Sequence, residues 1–154
     1  MSVYVLALLI GVVAGLRAMT APAAVSWAAH LGWLPLQDTP LAFLGFTATP
    51  YIFTVLAIVE LITDQLPKTP SRTVPMQFGV RIVLGGLCGA AIGAAHGGLP
   101  GGLIAGVVGA VIGTLGGARA RGALARAFGR DLPAALIEDA VAIVGAALIV
   151  MALR

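Results

Sequence analysis

A run of glycines from residue 85 to residue 117 constrains this chain more than any other feature of its sequence. The glycines recur at intervals of four and would line single helix faces: Gly85, Gly89, Gly93 and Gly97, then Gly98, Gly102 and Gly106, then Gly109, Gly113 and Gly117. In water, each glycine would weaken a helix by about 1 kcal/mol relative to alanine. In a bilayer, small residues at this spacing let two helices approach closely. The run therefore predicts a membrane-embedded helical hairpin, a glycine zipper, that turns near residues 97–101.

The composition also favours a membrane protein. Of the 154 residues, 60% are hydrophobic and 10% are charged, and the mean hydropathy is +1.06. The length suits a single membrane domain. The net charge of +3 comes from basic residues that lie mostly between apolar segments, so we expect no nucleic-acid partner. Cys88 is the only cysteine, and neither His30 nor His96 has a partner at ligand spacing, so we predict no metal and no cofactor.

Six apolar segments predict an all-α integral membrane protein. They cover residues 3–18, 21–36, 44–63, 76–95, 98–115 and 132–153. The first two would each rise about 24 Å, which is less than a hydrocarbon core of about 30 Å. They are either two short spans or a re-entrant pair, and the sequence leaves both open. At the helix break between them, Thr20 is expected to cap the second helix and Pro22 to lie in its first turn.

The basic residues predict an orientation. If all six segments cross the membrane, eight of the nine basic residues share one side: Arg17, Lys68, Arg72, Arg81, Arg119, Arg121, Arg126 and Arg130. By the positive-inside rule that side is cytoplasmic, and both termini are then periplasmic. Residues 116–131 are interpreted as a basic loop, with a short surface helix left open within it, that sets this orientation and touches anionic lipid. Three spans followed by three of opposite entry direction also allow a 3+3 inverted repeat.

Six charged residues inside or beside the apolar segments form the candidate site. They are Arg17, Glu60, Asp64, Arg81, Glu138 and Asp139. A charge at membrane depth costs several kcal/mol unless it is paired or hydrated, so we expect the two arginines to lie against the carboxylates. Two arginines and four carboxylates leave two negative charges, which would carry protons or bind a cation. The alternative is a salt-bridged plug that binds no ligand.

A phosphate or carboxylate site is a second alternative. In the six-span topology, the N-termini of segments two, four and six point to the cytoplasm near Arg17, Arg81 and Arg130. Helix N-termini with arginines attract anions. The neighbouring carboxylates argue against a free anion, but a lipid headgroup is compatible with this arrangement.

Three stretches resemble a known family. They are GLRAMTAPAAVSWA (15–28), ELITDQLPKTPSR (60–72) and RDLPAALIEDAVAI (130–143). They are similar to the hallmark stretches of a family of small bacterial integral-membrane proteins catalogued as a domain of unknown function. The resemblance covers nearly the whole chain and implies a bacterial inner-membrane location. It implies no activity.

Together these features predict a small membrane transporter or channel for a small ion or solute, with Glu60, Glu138 and Asp139 as proton or cation ligands. The alternative is a non-transporting scaffold or lipid-binding oligomer assembled through the glycine face. A chain of this size encloses little volume, so we expect a homodimer in either case. An enzyme is disfavoured because no hydrolase or phosphate-loop motif occurs.

Overall fold

The computed structural model describes residues 2–36, 39–63 and 75–153, and the regular structure of these ranges is entirely helical. Six α-helices follow one another in this part of the chain, which confirms the all-α prediction. They are α1 (Val3–Leu16), α2 (Thr20–His30), α3 (Ala48–Thr63), α4 (Pro75–Ala95), α5 (Leu99–Phe128) and α6 (Asp131–Met151), with a 3-10 turn at Ala42–Gly45 before α3.

Two predicted segments end elsewhere than expected. The second was expected to reach residue 36, but α2 ends at His30, and Gly32 adopts a φ of 84° that only glycine tolerates well. The fifth was expected to end at residue 115 in a basic loop. That prediction is wrong, because α5 continues to Phe128 and ends at Gly129 in the left-handed conformation. Residues 116–128 contain no proline and are mostly alanine, leucine and arginine, which are good helix formers.

Three helices are long and apolar enough to cross a membrane, and they indicate a membrane protein. They are Pro75–Ala95, Leu99–Phe128 and Leu132–Met151. The helices α1 and α3 are apolar but have only 14 and 16 residues, so they rise about 21 and 24 Å.

The helix α5 packs tightly between α4 and α1. A Cβ atom on Gly89 would overlap the carbonyl oxygen of Gly102, so the backbones of α4 and α5 are in contact there. Further along α5, a Cβ on Gly113 would overlap the carbonyl oxygen of Val12 in α1. The glycines of α5, which follow one face of the helix at intervals of three or four, thus hold two neighbours at backbone distance, which leaves no room for larger residues.

Five more glycines of the run also lie close to a neighbouring helix. A Cβ on Gly85, Gly93, Gly102 or Gly106 would overlap atoms across the α4–α5 contact, and a Cβ on Gly109 would overlap Leu8 of α1. Gly97 has a φ of 81° in the turn between α4 and α5. Gly11 and Gly15 of α1 complete the set, because their Cβ positions meet Gly106 and Thr114 of α5. The described contacts of these glycines therefore lie within one chain.

One end of the helix bundle holds the α4–α5 turn, and the other holds the break between α1 and α2. At one end, the Tyr4 ring lies beside Gly98 and Gly101, which brings the start of α1 to the α4–α5 turn. The helix α3 contacts mainly α2, where Trp27 Nε1 donates to Thr54 Oγ1 at 2.8 Å.

Substitution of Gly106 by alanine tests the close contact. The new Cβ would overlap Gly85 O and lie 3.0 Å from the Gly89 Cα, so α4 and α5 must move apart. Overpacking of this kind costs about 1–3 kcal/mol, and thermal unfolding in detergent should begin several degrees lower. In the matched control, Gly116→Ala, no atom lies within 4 Å of the new Cβ, so its melting temperature should not fall. Equal melting temperatures for the two variants would contradict the packing.

Candidate functional site

Arg17 lies in the break between α1 and α2 with no exposed surface. Its backbone is extended, with a φ of −141° and a ψ of 114°, and this conformation ends α1. The guanidinium Nη1 donates to the carbonyl oxygen of Leu16 at 3.0 Å. A fully buried arginine keeps its charge, so its surroundings must supply negative charge.

Two adjacent acids of α6 supply that charge. Arg17 Nη1 lies 2.5 Å from Glu138 Oε1, and Arg17 Nε lies 2.5 Å from Asp139 Oδ1. Glu138 is 6% exposed and the Asp139 side chain 13%. Glu138 is the eighth residue of α6, about 10 Å along the helix. Arg17 therefore joins the α1–α2 break to the first half of α6.

Glu60, near the end of α3, binds the start of α2. Its Oε2 accepts a hydrogen bond from the Ala18 amide and its Oε1 accepts one from the Met19 amide, both at 2.9 Å. A carboxylate here satisfies the amides of the two residues that precede α2, one of which is the N-cap, and complements the helix dipole. The prediction that Thr20 caps α2 is wrong: Met19 is the N-cap residue and no side chain of the cap position bonds to the helix. Pro22 lies in the first turn of α2, as predicted.

Two further arginines flank these carboxylates. Arg81 of α4 is 3% exposed, and its Nη1 lies 4.0 Å from Glu60 Oε2. Arg121 of α5 lies with its Nη1 4.0 Å from Glu138 Oε1. Arg121 was assigned to the orienting loop in the sequence analysis. It follows Gly113 and Gly117 at intervals of four, and this spacing could have identified it if α5 had been extended.

The structure thus brings together five of the six predicted charged residues: Arg17, Glu60, Arg81, Glu138 and Asp139. Asp64 lies outside the described residues. With Arg121 added, the described cluster holds three guanidinium groups and three carboxylates, so the predicted excess of negative charge is not present among these six. We call these six residues the charged cluster. Among the described residues, no group of three histidine, cysteine or acidic side chains could hold a metal ion.

Among the described residues, cavities occur at both ends of the bundle. A groove of about 110 Å³ runs between α5 and α6 beside the charged cluster, and its lining includes Arg121 and Glu138 among apolar residues such as Leu124 and Val141. A wider cavity of about 260 Å³ lies at the other end, lined by residues that include His30 and Phe46. The charged cluster therefore borders a surface groove.

Three hydroxyl groups are buried without a hydrogen-bond partner in the described part of the chain: Thr20 Oγ1, Ser26 Oγ and Thr114 Oγ1. A buried hydroxyl without a partner costs about 1–3 kcal/mol, and internal water commonly satisfies such groups. Thr20 and Ser26 lie on α2, between the charged cluster and His30. The His30 ring contacts a backbone carbonyl instead of another ligand-type side chain: its Nδ1 lies 3.3 Å from Gly45 O.

Removal of the Glu60 carboxylate tests its role at the α1–α2 break. Glu60→Ala leaves the amides of Ala18 and Met19 without their acceptor, and loss of a cap costs about 1–2 kcal/mol. Hydrogen exchange at these two amides should become faster, which NMR in micelles can measure. The control is Val59→Ala, an exposed neighbour on α3, which should leave both exchange rates unchanged. Unaltered exchange in Glu60→Ala would contradict this assignment.

Comparisons with known proteins found no match. No protein-family model fits the chain, no curated protein is similar to it, and no solved structure matches it. The resemblance of three stretches to a bacterial membrane family stays a prediction.

Proposed function

We propose that the chain is a small membrane transporter or channel for a proton or another small ion or solute, and that the charged cluster is its binding site. The observation that carries this proposal is the interrupted helix. The helices α1 and α2 stop and start beside Arg17, and the free backbone groups at this break bind charged side chains.

Interrupted helices of this kind are typical of transporter binding sites. Non-helical backbone at membrane depth is tolerated where it is buried in protein or lines a cavity. In secondary transporters, the ends of such half-helices hold the substrate or the coupling ion. In this chain, Glu60 accepts hydrogen bonds from two amides just before α2, and Arg17 donates one to the carbonyl at the end of α1. A permeating ion would exchange with these side chains.

The polar groups on α2 support a hydrated route. Thr20 and Ser26 offer buried hydroxyls between the charged cluster and the cavity beside His30. The helix α2 has 11 residues and rises about 16 Å, so the charged cluster at its start and the cavity at its end are only that far apart.

The proposed setting is the bacterial inner membrane. The arginine-rich end of the bundle would face the cytoplasm and both termini the periplasm, as the positive-inside rule predicts. The contacts between glycines of α4 and α5 agree with a glycine zipper. A 3+3 inverted repeat and a homodimer remain proposals.

Flux measurements test the function. Glu138→Gln keeps the shape of the side chain but removes its charge, so a site that carries protons or cations should lose at least about tenfold in flux. The purified protein is reconstituted into liposomes, and entry of H⁺, Na⁺ and K⁺ is followed with ion-sensitive dyes. The matched control is Leu136→Ala, an exposed residue on the same helix, which should transport as the unsubstituted protein does.

Two results would contradict the proposal. Equal flux through the unsubstituted protein and Glu138→Gln would remove Glu138 from the site. Ion entry no faster than in protein-free liposomes, for all three ions, would exclude ion transport. Flux is compared at a temperature at which thermal unfolding shows every variant to be folded, so that a lost flux does not result from a lost fold.

A non-transporting scaffold is the second candidate, and the balance of charges favours it. The three arginines and three carboxylates of the charged cluster pair with one another or with backbone amides. Such a network stabilises a break without any ligand. In this case Glu138→Gln should lower the melting temperature while the unsubstituted protein shows no flux. Because the glycine faces pack within the chain, a dimer would use other surfaces, such as the exposed faces of α3 and α6.

A further inference from the structure

One exposed face of α5 changes from apolar to basic along its length. Its residues recur at intervals of three or four, the spacing that places residues on one face of a helix. They are Ile104, Val108, Ile112 and Leu115, followed by Arg119, Gly122 and Arg126. The four apolar side chains are between 43% and 64% exposed. Because α1, α4 and α6 pack on other faces of α5, none of the described helices covers this stripe.

The basic part of the stripe holds two arginines on either side of a glycine. Arg119 and Arg126 are both exposed, and neither makes an ion pair with a described residue. Arg126 Nη1 lies 3.6 Å from the Cβ position of Gly122, so its side chain reaches back toward Arg119. Residues 116–130 include four arginines and no acidic residue. This part of α5 therefore carries positive charge that no acidic residue of the same segment offsets.

The length of α5 places these arginines at headgroup depth. Its 30 residues rise about 45 Å, whereas a hydrocarbon core is about 30 Å thick. If the α4–α5 turn lies at one surface, then Arg119 lies about 30 Å away, at the opposite surface. The apolar part of the stripe, about 16 Å long, would then lie within the hydrocarbon, and the arginines would meet the phosphates of that leaflet.

We propose that this face of α5 is a binding site for an anionic phospholipid. The acyl chains lie along Ile112 and Leu115, and the phosphate lies between Arg119 and Arg126, which bind its oxygens by charge-assisted hydrogen bonds. A second copy of the chain fits this face poorly, because a two-fold contact here would bring like-charged arginines together. The site is separate from the charged cluster, since Arg121 projects from another face of α5 toward Glu138.

Lipid binding to two matched double variants tests the site. Native mass spectrometry of the purified full chain counts bound phosphatidylglycerol and bound phosphatidylcholine with the same acyl chains. Each arginine near a membrane surface contributes about fivefold to anionic-lipid affinity, so Arg119→Gln with Arg126→Gln should weaken phosphatidylglycerol binding roughly 25-fold. Phosphatidylcholine binding should not change. The control, Lys68→Gln with Arg72→Gln, removes the same charge from another segment and should keep most of the affinity.

Several results would overturn this site. Equal affinity of the unsubstituted protein for the two lipids would show that charge plays no part. An equal loss in both double variants would show that only the net charge matters. If glycerol 3-phosphate bound as tightly as phosphatidylglycerol, the apolar stripe would not be part of the site. If the Arg119/Arg126 variant had a lower dimer fraction but still bound lipid, this face would be a contact between two copies of the chain. Circular dichroism of each variant controls for folding, and the side chains of Arg119 and Arg126 are exposed.

Discussion

The buried guanidinium of Arg17 is the constraint on which the rest of the structure depends. It has no exposed surface, and two adjacent carboxylates of α6 lie within hydrogen-bond distance of it. Leaving a charge of this kind without its partner inside a protein costs about 3–5 kcal/mol. The break between α1 and α2 can therefore be buried in the bundle only because α6 and α3 bring carboxylates to it: Glu138 and Asp139 to the guanidinium, Glu60 to the backbone amides.

The glycine contacts explain how these groups come within reach of each other. Gly11 and Gly15 hold α1 against the backbone of α5, and Gly89 holds α4 there as well. Arg17 follows Gly15 by two residues, so the close approach of α1 and α5 also fixes the position of the break. The α5 helix in turn carries Arg121 to Glu138. A larger residue at the α1–α5 contact would move the break away from α6. The close packing of α1 on α5 and the pairing of the buried charges therefore depend on one another.

Much of this architecture could be predicted from the sequence, because hydrophobic periodicity and the cost of buried charge act locally and strongly. The six helices, the break near Arg17 and the approach of Arg17 and Arg81 to carboxylates follow from those two effects. The cap of α2 could not be predicted, since Glu60 is more than 40 residues away in sequence and local capping rules favoured Thr20. Arg121 was missed because residues 116–131 were interpreted as a basic loop, whereas Gly117 is buried within a helix that continues. Gly11 and Gly15 have the small-residue spacing of four, but only the structure shows that they pack against α5.

A double-mutant cycle between Arg17 and Glu138 tests the central claim most directly. The free energy of unfolding is measured in mixed micelles for Arg17→Gln, Glu138→Gln and the variant with both changes. If the two side chains form a buried pair, the double variant loses much less stability than the sum of the single losses, with a coupling energy of about 1.5–3 kcal/mol. Losses that add to within about 0.5 kcal/mol would contradict the pairing of the α1–α2 break with α6.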